Sequence, residues 1–282
     1  MKFAVLMQYL IPKQAITALA GKLAHVEGGK VTTAVIKWFV KRYAVNMSEA
    51  ENTDIASYQS FNLFFTRPLK ANARPLSAAK FICPVDGAIS QFGAIEKDQI
   101  FQAKGHYYST LALVGGNQTL AEKFEDGHFA CLYLSPKDYH RIHMPCDGTL
   151  ISMIYVPGAL FSVNPTTAQG VARLFARNER VVCEFNSEKY GSFVMVLVGA
   201  TIVGSMATVW HDAKDHIINP PRSSHTRTWT YKNQAITLKQ GEEMGRFLLG
   251  STVVMLFEKN TIKLNPDWQP AKMIKLGELM GN

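Results

Sequence analysis

The densest chemistry in the chain stands at Tyr139-His140-Arg141-Ile142-His143-Met144-Pro145. Two imidazoles this close bring together groups that titrate near neutrality, which suits proton transfer. A His-x-x-His pair can also supply two metal ligands. Zinc usually takes a third, and no H-E-x-x-H motif is present, so no metal site is expected. In a strand or turn the two rings do not share a face, so His140 and His143 are expected to do different jobs. A nucleophile is harder to find. There is no G-x-S-x-G elbow, no P-loop and no G-x-G-x-x-G. What remains is Leu249-Gly250-Ser251-Thr252, opening the apolar run Val253–Phe257. Taken alone, Gly-Ser-Thr reads as a turn before a strand. Carboxylates come from two similar segments, Pro84-Val85-Asp86-Gly87 and Pro145-Cys146-Asp147-Gly148. Asp-Gly is a common turn pair, so the repeat reads first as two equivalent turns in a pseudo-symmetric sheet structure. A turn that aims its Asp inward can still present a fixed carboxylate.

The elements that must position these groups change character along the chain. From about residue 60, short runs of Val, Ile, Phe and Thr are separated by turn signals such as Gly115-Gly116-Asn117 and Asn186-Ser187. This reads as a β-rich body with few helices. Residues 190–211 carry no charged group over 22 positions, long enough to cross a bilayer. Phe193–Val198 is a β-branched-rich run, however, and Gly199 and Gly204 punctuate the residues after it. Buried strands at 193–198, 201–203 and 208–210 fit better than one helix. Near the N-terminus, Ile16, Leu19, Ala20 and Leu23 recur at helical spacing. Gly28-Gly29 breaks the pattern, and Val31, Val35, Phe39 and Tyr43 resume it with Trp38 beside them. The expected fold is α+β: N-terminal amphipathic helices over residues 1–46 and a β-rich catalytic domain over residues 47–282.

The 282 residues hold 30 Lys and Arg against 22 Asp and Glu, a net charge of +8. Residues 1–45 carry Lys2, Lys13, Lys22, Lys30, Lys37, Lys41 and Arg42 against Glu27 alone, which is +6 of that total. The nearly neutral remainder, with no zinc-finger or ribonucleoprotein-type motif, argues against a nucleic-acid partner. A basic helix bearing Trp and Phe can lie in a membrane interface with its cations toward anionic headgroups. Periodicity alone would equally let it pack on its own domain. A secretory signal is not expected, because Pro12 and Lys13 end the apolar run Phe3–Ile11 after nine residues. Four scattered Cys exclude a disulfide scaffold and point to a reducing compartment.

In order along the chain, these residues match the blocks of a known family. The chain resembles the bacterial-type phosphatidylserine decarboxylases, membrane-associated enzymes with a self-made pyruvoyl group. The resemblance rests on Pro84–Gly87, Tyr139–Pro145 and Leu249-Gly250-Ser251-Thr252. It is extended by Phe64-Phe65-Thr66-Arg67, Phe161-Ser162-Val163-Asn164-Pro165 and Gly241-Glu242-Glu243-Met244-Gly245-Arg246-Phe247, and so runs from about residue 60 to 257.

The resemblance implies a proenzyme that cuts itself between Gly250 and Ser251. Ser251 Oγ attacks the Gly250 carbonyl in an N-to-O acyl shift. Elimination of the ester leaves dehydroalanine, and hydrolysis releases ammonia and leaves pyruvoyl. Residues 1–250 become the β subunit and residues 251–282 the α subunit, with the pyruvoyl as Schiff-base site. Asp86, His143 and Ser251 map onto the family's self-cleavage triad, and His140 onto its decarboxylation histidine. The substrate implied is phosphatidylserine, the products phosphatidylethanolamine and CO2. The location implied is the cytoplasmic face of the inner membrane, bound peripherally to an anionic surface, and a dimer of heterodimers is compatible with it. Two other readings of the same residues remain: a membrane-tethered serine hydrolase acting on an external substrate, and a non-catalytic binding module. Both predict an unsplit chain.

Overall fold

The structure, a computed structural model, describes residues 6, 8, 9, 12–201, 206–210, 223–231, 234–248 and 252–282. It is a β-rich α+β fold built on a nine-stranded antiparallel sheet. Across this sheet the strands run Arg227–Thr230, Gly148–Val156, Arg180–Ser187, Gly191–Val198, Thr252–Phe257, His128–Tyr133, Gly87–Ala94 and Met273–Ile274, and Thr237–Leu238 pairs further along Gly148–Val156. A three-stranded sheet sets Glu243–Phe247 between Met206–Thr208 and Arg141–His143.

The uncharged stretch is strand only in part: Thr201, Val209 and Trp210, expected in strands, lie in turns, and the later strand ends at Thr208. Gly191–Val198 and Met206–Thr208 are both β, while residues 202–205 and 211 lie outside the described residues. Period-2 alternation puts Phe193, Met195 and Leu197 in one core and Val194, Val196 and Val198 in the other. Thr252–Phe257 does the same, with Val253, Met255 and Phe257 on one face and Val254 and Leu256 on the opposite face. A sheet buried on both sides needs unbroken apolar strands, which is why these runs look at first like membrane segments. Among the described residues no helix is long and apolar enough to cross a membrane.

The two longest described helices stand near the N-terminus, α1 at Lys13–Ala24 and α2 at Lys30–Tyr43. The apolar stripe expected on α2 divides. Ile36 is fully buried, and Phe39 packs edge-on to Phe61, Phe64 and Phe65 at ring distances of 5.0, 5.9 and 6.1 Å. Val31, Val35 and Trp38 face outward, as do Leu19 and Leu23 of α1, all at least 45% exposed. Val31, Val35, Trp38 and Leu23 line an open apolar groove of about 430 Å³ between the helices. The aromatic cluster therefore moors α2 to the body and leaves the rest of its apolar surface uncovered.

Candidate active site

Strand Arg141–His143 turns Ile142 into the core and sets Arg141 and His143 on its other face. The His143 ring is fixed at both nitrogens: Nδ1 lies 2.7 Å from the Gly241 carbonyl and Nε2 lies 3.0 Å from the Tyr139 hydroxyl. A carbonyl can only accept, so Nδ1 carries the proton and donates it to Gly241. Nε2 is left as the basic nitrogen and accepts from Tyr139. Gly241 reaches this position with φ 82°, and a Cβ there would meet Leu76 at 2.5 Å, so glycine is required. Burial pushes His143 below the usual imidazole range. The Gly241 carbonyl and the negative charges of Glu243 and Asp86 oppose that shift without reversing it. The ring is therefore neutral at pH 7 and able to act as a base.

The two Pro-x-Asp-Gly segments lie side by side. His143 N donates to the Pro84 carbonyl at 2.9 Å, and Ile82 N to the Pro145 carbonyl at 3.0 Å. Their aspartates differ. Asp147 is half-buried and accepts from the Gln240 amide and the Lys239 ammonium. Asp86 is 7% exposed and accepts from Arg74 Nε at 2.9 Å, Arg74 Nη2 at 2.5 Å and the Leu276 amide at 2.9 Å. Arg74 also holds Glu49 at 2.7 Å. Gly87 follows Asp86 because a Cβ there would lie 2.3 Å from the Tyr133 carbonyl. No hydrogen bond joins Asp86 to His143; the acceptor that orients the ring is the Gly241 carbonyl. Asp86 reaches His143 only through its charge, which favours the imidazolium.

His140 has different surroundings. It is fully buried and stacks on Phe65 at 4.0 Å and 22°. Burial, and then the charge of Arg67, push it down to about 3, so it is a neutral imidazole. Neither ring nitrogen makes a well-formed hydrogen bond, although the Ser135 and Pro136 carbonyls lie close enough to favour protonation slightly. The His140 carbonyl accepts from the Phe247 amide at 3.0 Å.

Phe247 ends the strand that leads to residues 249–251. Leu249, Gly250 and Ser251 lie outside the described residues. The chain is described again at Thr252, which enters the central strand opposite Tyr133 and Val198. Thr252 Oγ1, the His140 ring nitrogens and Arg67 Nε are buried without hydrogen-bond partners among the described residues.

The structure brings in residues that stand outside the predicted triad and histidine pair. Tyr139 contacts the base, Gly241 orients it, and Arg74 and Leu276 hold Asp86. The tail after Phe257, assigned no function from its sequence, supplies that Leu276 amide. Gly241 and Leu276 act through backbone atoms, which no side-chain pattern reveals. No group of three or more His, Cys, Asp or Glu suited to a metal occurs among the described residues.

Comparison with known proteins places the whole sequence in one family. The family model described as phosphatidylserine decarboxylase matches residues 61–282, and one described as PSD matches residues 3–44. The phosphatidylserine decarboxylase proenzyme of Dechloromonas aromatica (strain RCB) is 70% identical over 281 residues, covering 100% of this chain and 98% of that protein. The proenzyme of the same name from Albidiferax ferrireducens is 68% identical over 279 residues, covering 99% and 96%. That of Azoarcus sp. (strain BH72) is 66% identical over 281 residues, covering 100% and 96%. With residues 61–282 matched by the family model and relatives 66–70% identical over nearly all of its length, the chain belongs to the phosphatidylserine decarboxylase family.

Proposed function

We propose that the chain is a proenzyme that cuts itself at Gly250–Ser251 and then decarboxylates phosphatidylserine to phosphatidylethanolamine and CO2. One observation carries this reading. The Arg141–His143 strand pairs with Glu243–Phe247, the strand that runs into the Gly250–Ser251 bond, so both histidines border one short stretch of chain.

In the first stage His143 Nε2 takes the proton of Ser251 Oγ as the oxygen attacks the Gly250 carbonyl carbon. The Gly241 carbonyl keeps Nδ1–H pointed away and so leaves the lone pair on Nε2, where the Ser251 hydroxyl takes the place of the Tyr139 hydroxyl that Nε2 otherwise accepts from. The Gly250–Ser251 C–N bond breaks and an ester forms. Asp86 acts on this step through its field, stabilising the imidazolium that appears on His143. Elimination then releases the carboxylate of residue 250 and leaves dehydroalanine, which hydrolyses with loss of ammonia.

In the second stage the pyruvoyl derived from Ser251 supplies a carbonyl that engages the substrate amine and draws off the electron pair left by departing CO2. His140, kept neutral by burial, offers a ring N–H to position the substrate carboxylate and relays a proton to the carbon that loses CO2, taking one up at its other nitrogen as it gives this one. Closely packed Phe65 holds its plane. The basic N-terminal segment, residues 1–46, holds the enzyme peripherally on an anionic bilayer, with the exposed Leu19, Leu23, Val31, Val35 and Trp38 entering the interface. The inner membrane, approached from the cytoplasm, is the surface that carries the substrate.

Denaturing mass spectrometry tests the reading. Two fragments divided before residue 251 are expected, the smaller blocked by pyruvoyl, and Ser251→Ala should remain one chain. An unsplit wild-type chain that releases no CO2 overturns it.

A further inference from the structure

Arg67 is a buried cation without a counter-ion among the described residues. It is 3% exposed, and no described carboxylate approaches it within ion-pair distance. Its Nε is buried without a hydrogen-bond partner, and its hydrogen bond to the Lys137 carbonyl is long, at 3.5 Å. The guanidinium lies over the Phe64 ring at 5.3 Å. The nearby carboxylates of Glu49 and Asp86 are both already held by Arg74. A charge removed from water and left unpaired is costly, and a fold does not need it. A ligand that brings an anion would explain it.

The position of Arg67 indicates which anion. Phosphatidylserine presents acyl chains, then a phosphodiester, then the serine amine and carboxylate. The structure presents the exposed apolar groove of α1 and α2, then the Phe61–Phe65 helix packed on Phe39, then Arg67, then His140. The phosphodiester and Arg67 occupy corresponding places in these two orders. Chemistry also separates the phosphodiester from the carboxylate. A cation clamped on the carboxylate would stabilise the substrate against loss of neutral CO2, raising the barrier. The phosphodiester keeps its charge throughout, so pairing with it aids binding without opposing the reaction. A guanidinium fork also matches two phosphate oxygens better than an ammonium does.

We propose that Arg67 holds the headgroup phosphodiester of phosphatidylserine, a substrate-anchoring role that rests on the decarboxylase reading above. The role is specific in what it leaves alone: self-cleavage needs no phosphodiester, and the product, phosphatidylethanolamine, retains it.

The test uses the full processed enzyme with short-chain phosphatidylserine as substrate and short-chain phosphatidylethanolamine as inhibitor. Arg67→Met should still split. Its KM should rise by roughly tenfold or more with kcat little changed. The inhibition constant of phosphatidylethanolamine should rise by a similar factor. Its Tm should hold or increase, because an unpaired buried charge has been removed. Arg67→Lys, which keeps the charge but not the fork, should fall between Met and wild type and gives the same readings if the Met variant does not fold. A raised KM with unchanged phosphatidylethanolamine inhibition would put Arg67 on the carboxylate and overturn the proposal. So would a fall in kcat at constant KM, or a fall in Tm with both affinities unchanged. Wild-type protein that neither splits nor releases CO2 overturns the decarboxylase reading itself, and that result is visible before any variant is made.

Discussion

His140 and His143 are separated by two residues, yet they are held neutral for different purposes. The His140 imidazole, pushed down to about 3 by burial and the nearby Arg67 charge, binds no proton in the folded chain at neutral pH. In the unfolded chain it titrates near 6.5. Its folded pKa lies below its unfolded one, so the unfolded state binds more protons as pH falls below about 6.5, and acid removes stability. Between pH 6.5 and 5 this one residue should cost roughly 2 kcal/mol. Thermal unfolding of the uncut Ser251→Ala protein should show that slope, and adding His140→Gln should flatten it. A slope unchanged by the second substitution would assign the acid sensitivity elsewhere. Asp86 joins the site to the scaffold. Asp86→Asn weakens a buried pair with Arg74, whose other partner Glu49 remains, so a loss of about 2–3 kcal/mol is expected in denaturant titration. The same substitution should slow self-cleavage by removing the charge that stabilises the His143 imidazolium. Cleavage at the wild-type rate would make Asp86 purely structural.

At the level of elements, α2 has two apolar surfaces with different work. Phe39 and Ile36 bind it to the body, while Val31, Val35 and Trp38 remain uncovered. Changing Leu19, Val31 and Trp38 together to Ser should weaken binding to anionic vesicles and leave Tm nearly unchanged, since these side chains are exposed in the free protein. A large loss of Tm would mean that they support the fold instead. Periodicity located both helices correctly, because a 3.6-residue repeat is written in side-chain identity. It could not divide the α2 stripe, because Phe39 is distinguished from Val35 only by the aromatic cluster at 61–65, which is distant along the chain. The buried strands were legible for the same reason in reverse: Phe193–Val198 has no polar face to hide. The candidate site was legible in its side chains, Asp86, His140 and His143, but not in how they connect. The ring of His143 is oriented by a carbonyl at Gly241, and Asp86 is held by an amide at Leu276 and by Arg74, which stands outside every motif.

On the scale of the whole molecule, the proposed cut falls immediately before the strand at the middle of the large sheet. Thr252–Phe257 is paired along its whole length with Gly191–Val198 on one side and His128–Tyr133 on the other, and both of its faces are buried. Residues 251–282 also return to the opposite fragment, where Leu279–Gly281 pairs with Phe81–Ile82. The two fragments should therefore stay together without a covalent link, and separating them requires unfolding the protein. Before the cut, refolding is a unimolecular event; afterwards two chains must find each other. Recovery of denatured Ser251→Ala should not depend on dilution, whereas recovery of the split enzyme should fall as it is diluted. Equal recovery at all dilutions would mean that the large fragment folds without its central strand. Maturation in this design works as a ratchet: the precursor can be assembled repeatedly, but the finished catalyst, once dispersed, has a memory of its shape divided between two molecules.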